Sequence, residues 1–234
     1  MATQSNLLGI LGGMGPLASA ELMSTIYRLS RFDREQEAPA CILYSDPSVP
    51  DRTSAILAGD VEPVAARLAE GIEALLRLGA HRVVIACVTA HGILPHVPEE
   101  LRRRVVSIID LAIDEIEANP GRFLLLATRG TRAARIFQDH PRWPAVENRV
   151  VLPGEEDQER MHDWLYRIKQ NEPLEPCVDW LHTLARNERV DGLIFGCTEL
   201  HLLHRVWKPA ANGSELRIVD PLLTVARDLG RLMG

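Results

Sequence analysis

Short runs of consecutive aliphatic residues alternate along the chain with longer segments whose apolar residues recur every three or four positions. Consecutive apolar residues are typical of strands that are buried on both faces, as in parallel sheets. On this pattern eight segments are predicted to be strands: Leu7–Leu11, Ala40–Tyr44, Arg82–Ala86, Val105–Ile109, Phe123–Ala127, Val150–Leu152, Leu193–Phe195 and Leu216–Val219.

The segments between the predicted strands have helical periodicity, and Val61–Leu78 is the clearest of them. Asp60 is predicted to cap its start, Pro63 suits its first turn, and Gly79 is suited to end it. Its apolar residues follow a period near 3.6: Val61, Val64, Ala65, Leu68, Ile72, Leu75 and Leu76. The alternation of strands and helices predicts an α/β fold in which helices flank parallel sheets.

The two halves of the chain repeat one order of features. In the first half a strand ends in the turn Gly12–Gly15, and a later strand ends in Cys87-Val88-Thr89. In the second half a strand ends in Thr128–Thr131, and a later one ends in Gly196-Cys197-Thr198. Evenly spaced strands alone would fit any α/β protein, but the repeated cysteine favours two similar lobes related by a pseudo-two-fold. Since ligands of open α/β sheets bind beyond the carboxyl ends of the strands, the site is expected between the lobes.

Charge and composition narrow the function and the compartment. The chain carries 26 Lys and Arg against 32 Asp and Glu, a net charge of −6, which disfavours nucleic acid as a partner. No basic residue precedes the first apolar run, and the uncharged stretch Leu7–Ala20 is shorter than a membrane span. The four cysteines include no CxxC pair and are too sparse for a disulfide framework. These features predict a cytoplasmic protein with no membrane partner.

Two of the four cysteines are candidates for proton transfer. Cys87 and Cys197 end predicted strands and precede polar residues, whereas Cys41 and Cys177 are interpreted as packing residues. Two thiols on opposite sides of a cleft suit a reaction that removes a proton from one face of a carbon and returns one to the other face. A carbanion beside a carboxylate needs cations and N–H donors, for which Arg52 and the two small-residue turns are candidates.

Two other kinds of site are disfavoured by the residues around them. Gly13–Ala18 formally matches GxGxxG/A, but Pro16 lacks an N–H and Asp46 is poorly placed for a ribose, so dinucleotide binding is not favoured. No P-loop sequence occurs. His201 and His204 with nearby Glu199 lack an HExxH or CxxC motif, and no metal site is predicted from them.

Taken in order and spacing, the motifs resemble the aspartate/glutamate racemase family, which are amino-acid racemases that use no cofactor. The resemblance extends over nearly the whole chain and is carried by six short segments: Gly12–Pro16, Pro50–Thr53, Cys87–His91, Ala127–Thr131, Gly196–Leu200 and Asp220-Pro221.

The resemblance implies a two-lobed fold without a cofactor and with an amino-acid substrate. The first lobe would comprise residues 1–118 and 212–234, with a returning C-terminal helix, and the second lobe residues 119–211. Cys87 and Cys197 match the catalytic cysteines, Arg52 matches an arginine that binds the substrate carboxylate, and Lys169 resembles a lysine that engages a side-chain carboxylate. A homodimer is also implied. The complete set of implied substrate-binding residues is Met14, Arg52, Thr89, Thr128, Thr131, Lys169 and Thr198.

The resemblance implies racemisation of an acidic amino acid, with aspartate favoured over glutamate. Val88 departs from the family, in which an asparagine usually follows the first cysteine, and this leaves the substrate open. The segment Arg132–Arg135 also differs and is expected to add two positive charges near the cleft. His91 is expected either to reach the cleft or to make a structural hydrogen bond. Hydantoin racemisation, maleate isomerisation, arylmalonate decarboxylation and ligand binding without catalysis remain alternatives, although two cysteines disfavour the decarboxylase.

Overall fold

The chain folds around two four-stranded parallel sheets. The computed structural model describes residues 7–208 and 216–233, and every pair of adjacent strands in them runs parallel. The first sheet contains β1 (Leu8–Gly12), β2 (Cys41–Ser45), β3 (Arg82–Ile85) and β4 (Val105–Val106). The second contains β5 (Phe123–Ala127), β6 (Val150–Val151), β7 (Gly192–Gly196) and β8 (Arg217–Val219).

Helices connect the strands and cover both sheets. The α-helices of the described residues are α1 (Pro16–Leu29), α2 (Arg52–Ala58), α3 (Glu62–Arg77), α4 (Val88–His91), α5 (Glu99–Arg102), α6 (Ile108–Ala118), α7 (Arg129–Ala133), α8 (Glu155–Lys169), α9 (Glu175–Asn187), α10 (Pro221–Arg227) and α11 (Leu229–Met233). Shorter 3₁₀ helices occupy Glu35–Glu37, Leu94–His96, Trp143–Ala145 and Glu147–Arg149, and a longer one occupies Thr198–Arg205.

The two sheets have the same topology. Their strand orders are β2-β1-β3-β4 and β6-β5-β7-β8, so that each strand of the first sheet has a counterpart four strands later. This repetition confirms the predicted α/β fold with two similar lobes. It also makes β3 and β7 equivalent, and these are the strands that lead to Cys87 and Cys197.

A shared hydrophobic core joins the lobes. One cluster contains Leu8 and Ile10 of β1 together with Phe123 and Leu125 of β5, and it extends into α6 and α10. Two further clusters lie on the outer faces of the two sheets, one in each lobe. Both faces of β1 and β5 are buried, so these strands need apolar residues at consecutive positions. This uninterrupted apolar pattern is what predicts them from the sequence.

The predicted strand Val105–Ile109 is wrong in its second half. The strand ends at Val106, and α6 begins at Ile108. Ser107 is the N-cap of this helix, and its hydroxyl oxygen accepts a hydrogen bond from the N–H of Asp110. Apolar residues continue through both elements, so the capping serine was the only local signal of the change from strand to helix.

The long predicted helix forms, but its start differs. It spans Glu62–Arg77, and its N-cap is Val61, which makes no side-chain capping bond. The prediction that Asp60 caps it is therefore wrong, whereas Pro63 lies in the first turn. Gly79 follows the helix with a φ of 93°, a left-handed conformation that glycine adopts without strain.

The C-terminal segment divides between the lobes. Strand Arg217–Val219 pairs in parallel with β7, so these residues belong to the second sheet and not to the first lobe as expected. The following helix α10 contacts α1 and α6, which agrees with a C-terminal helix that returns to the first lobe. The predicted boundary at residue 212 lies outside the described residues, and the division into 1–118, 119–211 and 212–234 otherwise remains a prediction.

Candidate active site

The two candidate catalytic cysteines occupy equivalent positions. Cys87 follows β3 and is the N-cap of α4, and Cys197 follows β7 and is the N-cap of the 3₁₀ helix Thr198–Arg205. Both side chains are almost completely buried, at 5% and 4% exposed. Since both follow inner strands of parallel sheets, each lies at the carboxyl end of its sheet, where α/β folds bind ligands.

A buried carboxylate accompanies Cys197. The thiol donates a hydrogen bond to Oε2 of Glu199 over 2.9 Å, and Oε1 accepts one from the N–H of Gly15 over 2.8 Å. Glu199 is only 2% exposed. A Cβ at position 15 would lie 2.9 Å from Oε1, so glycine is needed there to let the carboxylate approach the backbone. This carboxylate therefore links the second cysteine to the first lobe.

The electrostatic environment keeps Cys197 protonated. Burial raises the pKa of its thiol, and the neighbouring negative charge of Glu199 raises this pKa further. The ammonium group of Lys169 lowers the pKa but does not compensate, so that it remains well above its ordinary value. Cys197 is thus suited to donate a proton in this state of the site.

Cys87 has the opposite kind of neighbour, because the Arg52 guanidinium lies close to it. The backbone holds this guanidinium: Nη1 donates to the carbonyls of Val49 and Pro50 over 3.2 and 3.0 Å, and Nη2 donates to the carbonyl of Met14 over 2.8 Å. The Nε atom is buried and has no hydrogen-bond partner among the residues that the structure describes. Burial lowers the pKa of Arg52, but the neighbouring acidic groups, among them Cys87, Asp51 and Glu199, together outweigh burial and raise this pKa.

Lys169 reaches the same region from the second lobe. Burial lowers the pKa of its ammonium, but the nearby acidic groups, with Glu199 the strongest of them, together outweigh burial and raise this pKa. One cation is therefore within electrostatic range of both thiols. The Lys169 stem also passes near Gly15, where a Cβ would lie 3.6 Å from its Cγ.

Tyr166 fixes the orientation of this lysine and ties the lobes together. Its hydroxyl donates to Oδ2 of Asp51 over 2.9 Å, and its ring centroid is 4.4 Å from Nζ of Lys169. Asp51 is the N-cap of α2, the helix that begins with Arg52. One hydrogen bond from α8 to the N-cap of α2 thus links the two segments that carry the cations.

Three of the predicted threonines form one buried hydroxyl cluster. Thr89 Oγ1 is 3.0 Å from Thr128 Oγ1 and 2.9 Å from Thr131 Oγ1, and the last two are 3.1 Å apart. This cluster joins the turn after Cys87 to the start of α7 in the second lobe. Thr198 makes a separate connection, because its hydroxyl donates to the carbonyl of Ala86 over 3.0 Å.

The expected N–H donors of the glycine turn already have partners within the protein. The N–H of Gly15 donates to Glu199 and the N–H of Gly13 donates to Ser19 Oγ over 3.3 Å, so neither is available to a substrate carboxylate as expected.

His91 and Val88 follow Cys87 in the first lobe. The Nδ1 of His91 is 2.9 Å from the carbonyl oxygen of Cys87, so this histidine makes the structural hydrogen bond that was one of its two expected roles. Val88 is 1% exposed and belongs to the hydrophobic cluster that joins the lobes.

The two additional arginines after Thr131 have partners of their own. Arg132 donates to the carbonyl of Pro153 over 3.1 Å, and Arg135 pairs with Asp139 over 2.8 Å. Both side chains are exposed, and the pair with Asp139 neutralises one of the two expected charges.

Glu199 and Tyr166 are the residues that sequence reasoning did not assign to the site. Glu199 was considered only with His201 and His204, but its carboxylate contacts Cys197 and Gly15. The sequence signal that could have assigned Glu199 to the site is its position two residues after Cys197, at the end of a strand. Tyr166 lies one helical turn before Lys169 on α8, which places both on one helix face.

Comparisons with known proteins identify the family and the fold of the chain. The family model described as Asp/Glu/Hydantoin racemase matches residues 11–229. The aspartate racemase of Picrophilus torridus is 23% identical, with a TM-score of 0.80 over 96% of this chain and 94% of that chain. An aspartate racemase homologue from Pyrococcus horikoshii is 25% identical, with a TM-score of 0.68 over 97% and 99% of the two chains.

A glutamate racemase also shares the fold. The enzyme from Campylobacter jejuni is 18% identical, with a TM-score of 0.60 over 96% of this chain and 85% of that chain. The family model matches most of the chain and the two parallel sheets agree with the fold of these racemases, so this chain belongs to the Asp/Glu/Hydantoin racemase family.

Proposed function

We propose that the protein racemises an acidic amino acid, aspartate in preference to glutamate, with Cys87 and Cys197 as its two acid/base groups and without a cofactor. One observation carries the proposal: two buried thiols at equivalent strand ends lie within electrostatic range of one half-buried lysine, while an arginine lies beside one thiol and a carboxylate beside the other. The preference for aspartate is supported by the similarity to the aspartate racemase of Picrophilus torridus and to the aspartate racemase homologue from Pyrococcus horikoshii.

The chemistry follows from the different neighbours of the thiols. Cys87 as thiolate removes the α-proton from one face of the substrate, and Cys197 as thiol delivers its proton to the opposite face. The reverse reaction begins from the exchanged protonation state, so that both cysteines are required in either direction. After a turnover the protons on the two sulfurs return to the starting arrangement by exchange with solvent.

The cations would hold the substrate and stabilise the intermediate. Arg52 would bind the α-carboxylate, next to the carbon that becomes a carbanion, and its positive charge would stabilise the charge that develops there. Lys169 would bind the side-chain carboxylate, which explains a preference for acidic substrates. The hydroxyls of Thr89, Thr128, Thr131 and Thr198, together with Met14, would line the pocket.

Related reactions of the family provide the second candidate. Hydantoin racemisation or maleate isomerisation would use the same pair of thiols, and the aliphatic Val88 is the feature that favours a substrate other than a standard amino acid. Ligand binding without catalysis is the remaining alternative. Turnover of a hydantoin or of maleate instead of an amino acid would assign the protein to one of the related reactions.

The partner and the compartment are also part of the proposal. No helix in the described ranges has the length and apolarity needed to cross a membrane. We expect a cytoplasmic protein that does not bind nucleic acid, consistent with a net charge of −6.

The protein is predicted to be a homodimer. Large apolar side chains are exposed at the end of α1 (Tyr27 and Leu29), just after it (Phe32) and on edge strand β2 (Tyr44), which offers a surface for a second copy. Sedimentation velocity should give twice the mass of the chain at micromolar concentration. The mass of a single chain across the whole concentration range would refute the dimer.

Loss of either thiol should abolish racemisation in both directions. The protein in D₂O, without added pyridoxal phosphate, is expected to exchange the α-proton of L- and D-aspartate as followed by NMR. Cys87→Ala and Cys197→Ala should each lower the rate of racemisation by at least about 100-fold, because a general acid or base contributes about 100- to 10,000-fold to the rate. Cys41→Ala is the matched control and should retain the activity.

Two results would contradict the roles of the thiols. Absence of exchange with every acidic and neutral amino acid would exclude racemisation of amino acids. Full activity of either Cys87→Ala or Cys197→Ala would exclude the assignment of two bases even if the protein is a racemase.

Glu199→Gln should make Cys197 more reactive at neutral pH. The substitution removes the negative charge that raises the thiol pKa, so this pKa should fall and the thiolate should form at lower pH. The amide oxygen can still accept from the Gly15 N–H. Alkylation of Cys197 by iodoacetamide, followed by peptide mass spectrometry across a pH series, should show a lower midpoint. Glu159→Gln, an exposed partner of Arg129, is the control; an unchanged midpoint in Glu199→Gln would disprove the electrostatic role.

Lys169→Gln should weaken the binding of acidic substrates selectively. A hydrogen bond to a charged group contributes about 1.5–3 kcal/mol, so KM for aspartate should rise about 10- to 100-fold. Lys208→Gln makes the same chemical change at an exposed position and should leave KM unchanged. An equal rise of KM for aspartate and for neutral amino acids would show that Lys169 does not recognise the side-chain carboxylate.

A further inference from the structure

Two histidines and an aspartate converge beside the proposed catalytic cleft without belonging to it. His201 and His204 lie on the 3₁₀ helix that follows Cys197, and Asp220 follows β8 as the N-cap of α10. With three residues per turn, a 3₁₀ helix places residues i and i+3 on one face. One potential ligand atom from each of the three residues lies within 4.8 Å of the others.

Both imidazoles point at the same carboxylate oxygen. Oδ2 of Asp220 is 2.5 Å from Nδ1 of His201 and 2.9 Å from Nε2 of His204. The other oxygen, Oδ1, accepts a hydrogen bond from the N–H of Leu222 over 2.9 Å. The backbone therefore orients the carboxylate so that Oδ2 and two ring nitrogens face one point.

The surroundings exclude water from all but one side. His201 and Asp220 are each 1% exposed, whereas the His204 side chain is 27% exposed. An ion would enter past His204 and keep a water or other ligand on that side. Three protein ligands with one open position make a common arrangement for a zinc-class ion.

The second nitrogen of His201 has the partner that a metal ligand needs. Its Nε2 is 3.0 Å from Thr25 Oγ1, and the same oxygen accepts a hydrogen bond from Arg28 Nη2 over 2.8 Å. When Nδ1 binds an ion, the ring proton resides on Nε2, and a hydroxyl oxygen with two lone pairs can accept from both donors. Histidine ligands are usually oriented by such an outer hydrogen bond.

We propose that His201, His204 and Asp220 form a binding site for a divalent transition-metal ion of the zinc class. Imidazole nitrogens and one carboxylate suit Zn²⁺, and the same donors bind Co²⁺, Ni²⁺ and Cu²⁺. The ion would connect the 3₁₀ helix after Cys197 to the start of α10, and its charge would compensate the buried carboxylate. The ion would be separate from the proposed catalytic pair, because neither Cys87 nor Cys197 is among the three ligands.

Titration with Zn²⁺ and Co²⁺ tests the site. Isothermal titration calorimetry of the metal-free protein at pH 7.5 should show one Zn²⁺ per chain. His204→Ala, the change at the more exposed ligand, should weaken this binding at least 10-fold. His140→Ala is the matched control, because His140 forms a pair with Asp110 over 2.7 Å without a third ligand, and this variant should bind Zn²⁺ as the unaltered protein does.

The Co²⁺ spectrum separates this site from the thiols. Nitrogen and oxygen ligands should give visible d–d bands without the sulfur-to-cobalt charge-transfer band in the near ultraviolet that thiolates produce. Zn²⁺ should also raise the Tm of the unaltered protein and of His140→Ala but not that of His204→Ala. The Tm values without metal show whether His204→Ala is folded.

Two outcomes would overturn the proposal. Equal binding of Zn²⁺ by the unaltered protein and His204→Ala would show that the three residues form a hydrogen-bonded cluster only. A sulfur charge-transfer band that disappears in Cys197→Ser would place the ion at the thiols. Neither outcome bears on racemisation, which is measured without metal.

Discussion

The carboxylate of Glu199 is the constraint on which the site depends. It is buried, accepts the Cys197 thiol and the Gly15 N–H, and thereby connects the second lobe to the glycine turn of the first. A buried carboxylate without partners would be costly, so these bonds and the nearby Lys169 ammonium are required for its presence. The need for these partners explains why position 15 is a glycine, since a Cβ there would lie 2.9 Å from Glu199 Oε1. It also explains why the Lys169 side chain lies close to this carboxylate.

The repeated fold makes the cysteines equivalent in position, but their neighbours make them unequal in chemistry. The Arg52 guanidinium lies near Cys87, whereas burial and the carboxylate of Glu199 raise the pKa of the Cys197 thiol. A reaction that removes and returns a proton on opposite faces needs this inequality, with one base and one acid present together. The repeated sheet topology thus places the two cysteines at equivalent positions, and the neighbouring side chains give them different electrostatic environments.

The sequence was most informative where one physical cause acts locally. Buried parallel strands require consecutive apolar residues, so β1, β3, β5 and β7 were predicted, together with the cysteines that follow β3 and β7. Prediction failed at Ser107, because apolar residues continue from the strand before it into the helix after it. It also assigned Arg217–Val219 to the first lobe, whereas this edge strand pairs with β7 in the second sheet. The candidate site residues were predicted mainly from motifs and remain a prediction, and Arg52 and Lys169 lie within electrostatic range of the thiols.

The contacts made by charged and polar side chains could not be predicted, because they join residues far apart in the sequence. The bond from Gly15 to Glu199 and the meeting of His201 with Asp220 depend on the packing of the lobes. The central claim is that two different thiols act on opposite faces of one carbon. The most direct test follows deuterium at the α-carbon during the first few per cent of conversion of L-aspartate in D₂O. The account predicts deuterium in nearly every molecule of D-aspartate formed and almost none in the recovered L-aspartate; equal labelling of the two enantiomers would indicate a single base and contradict it.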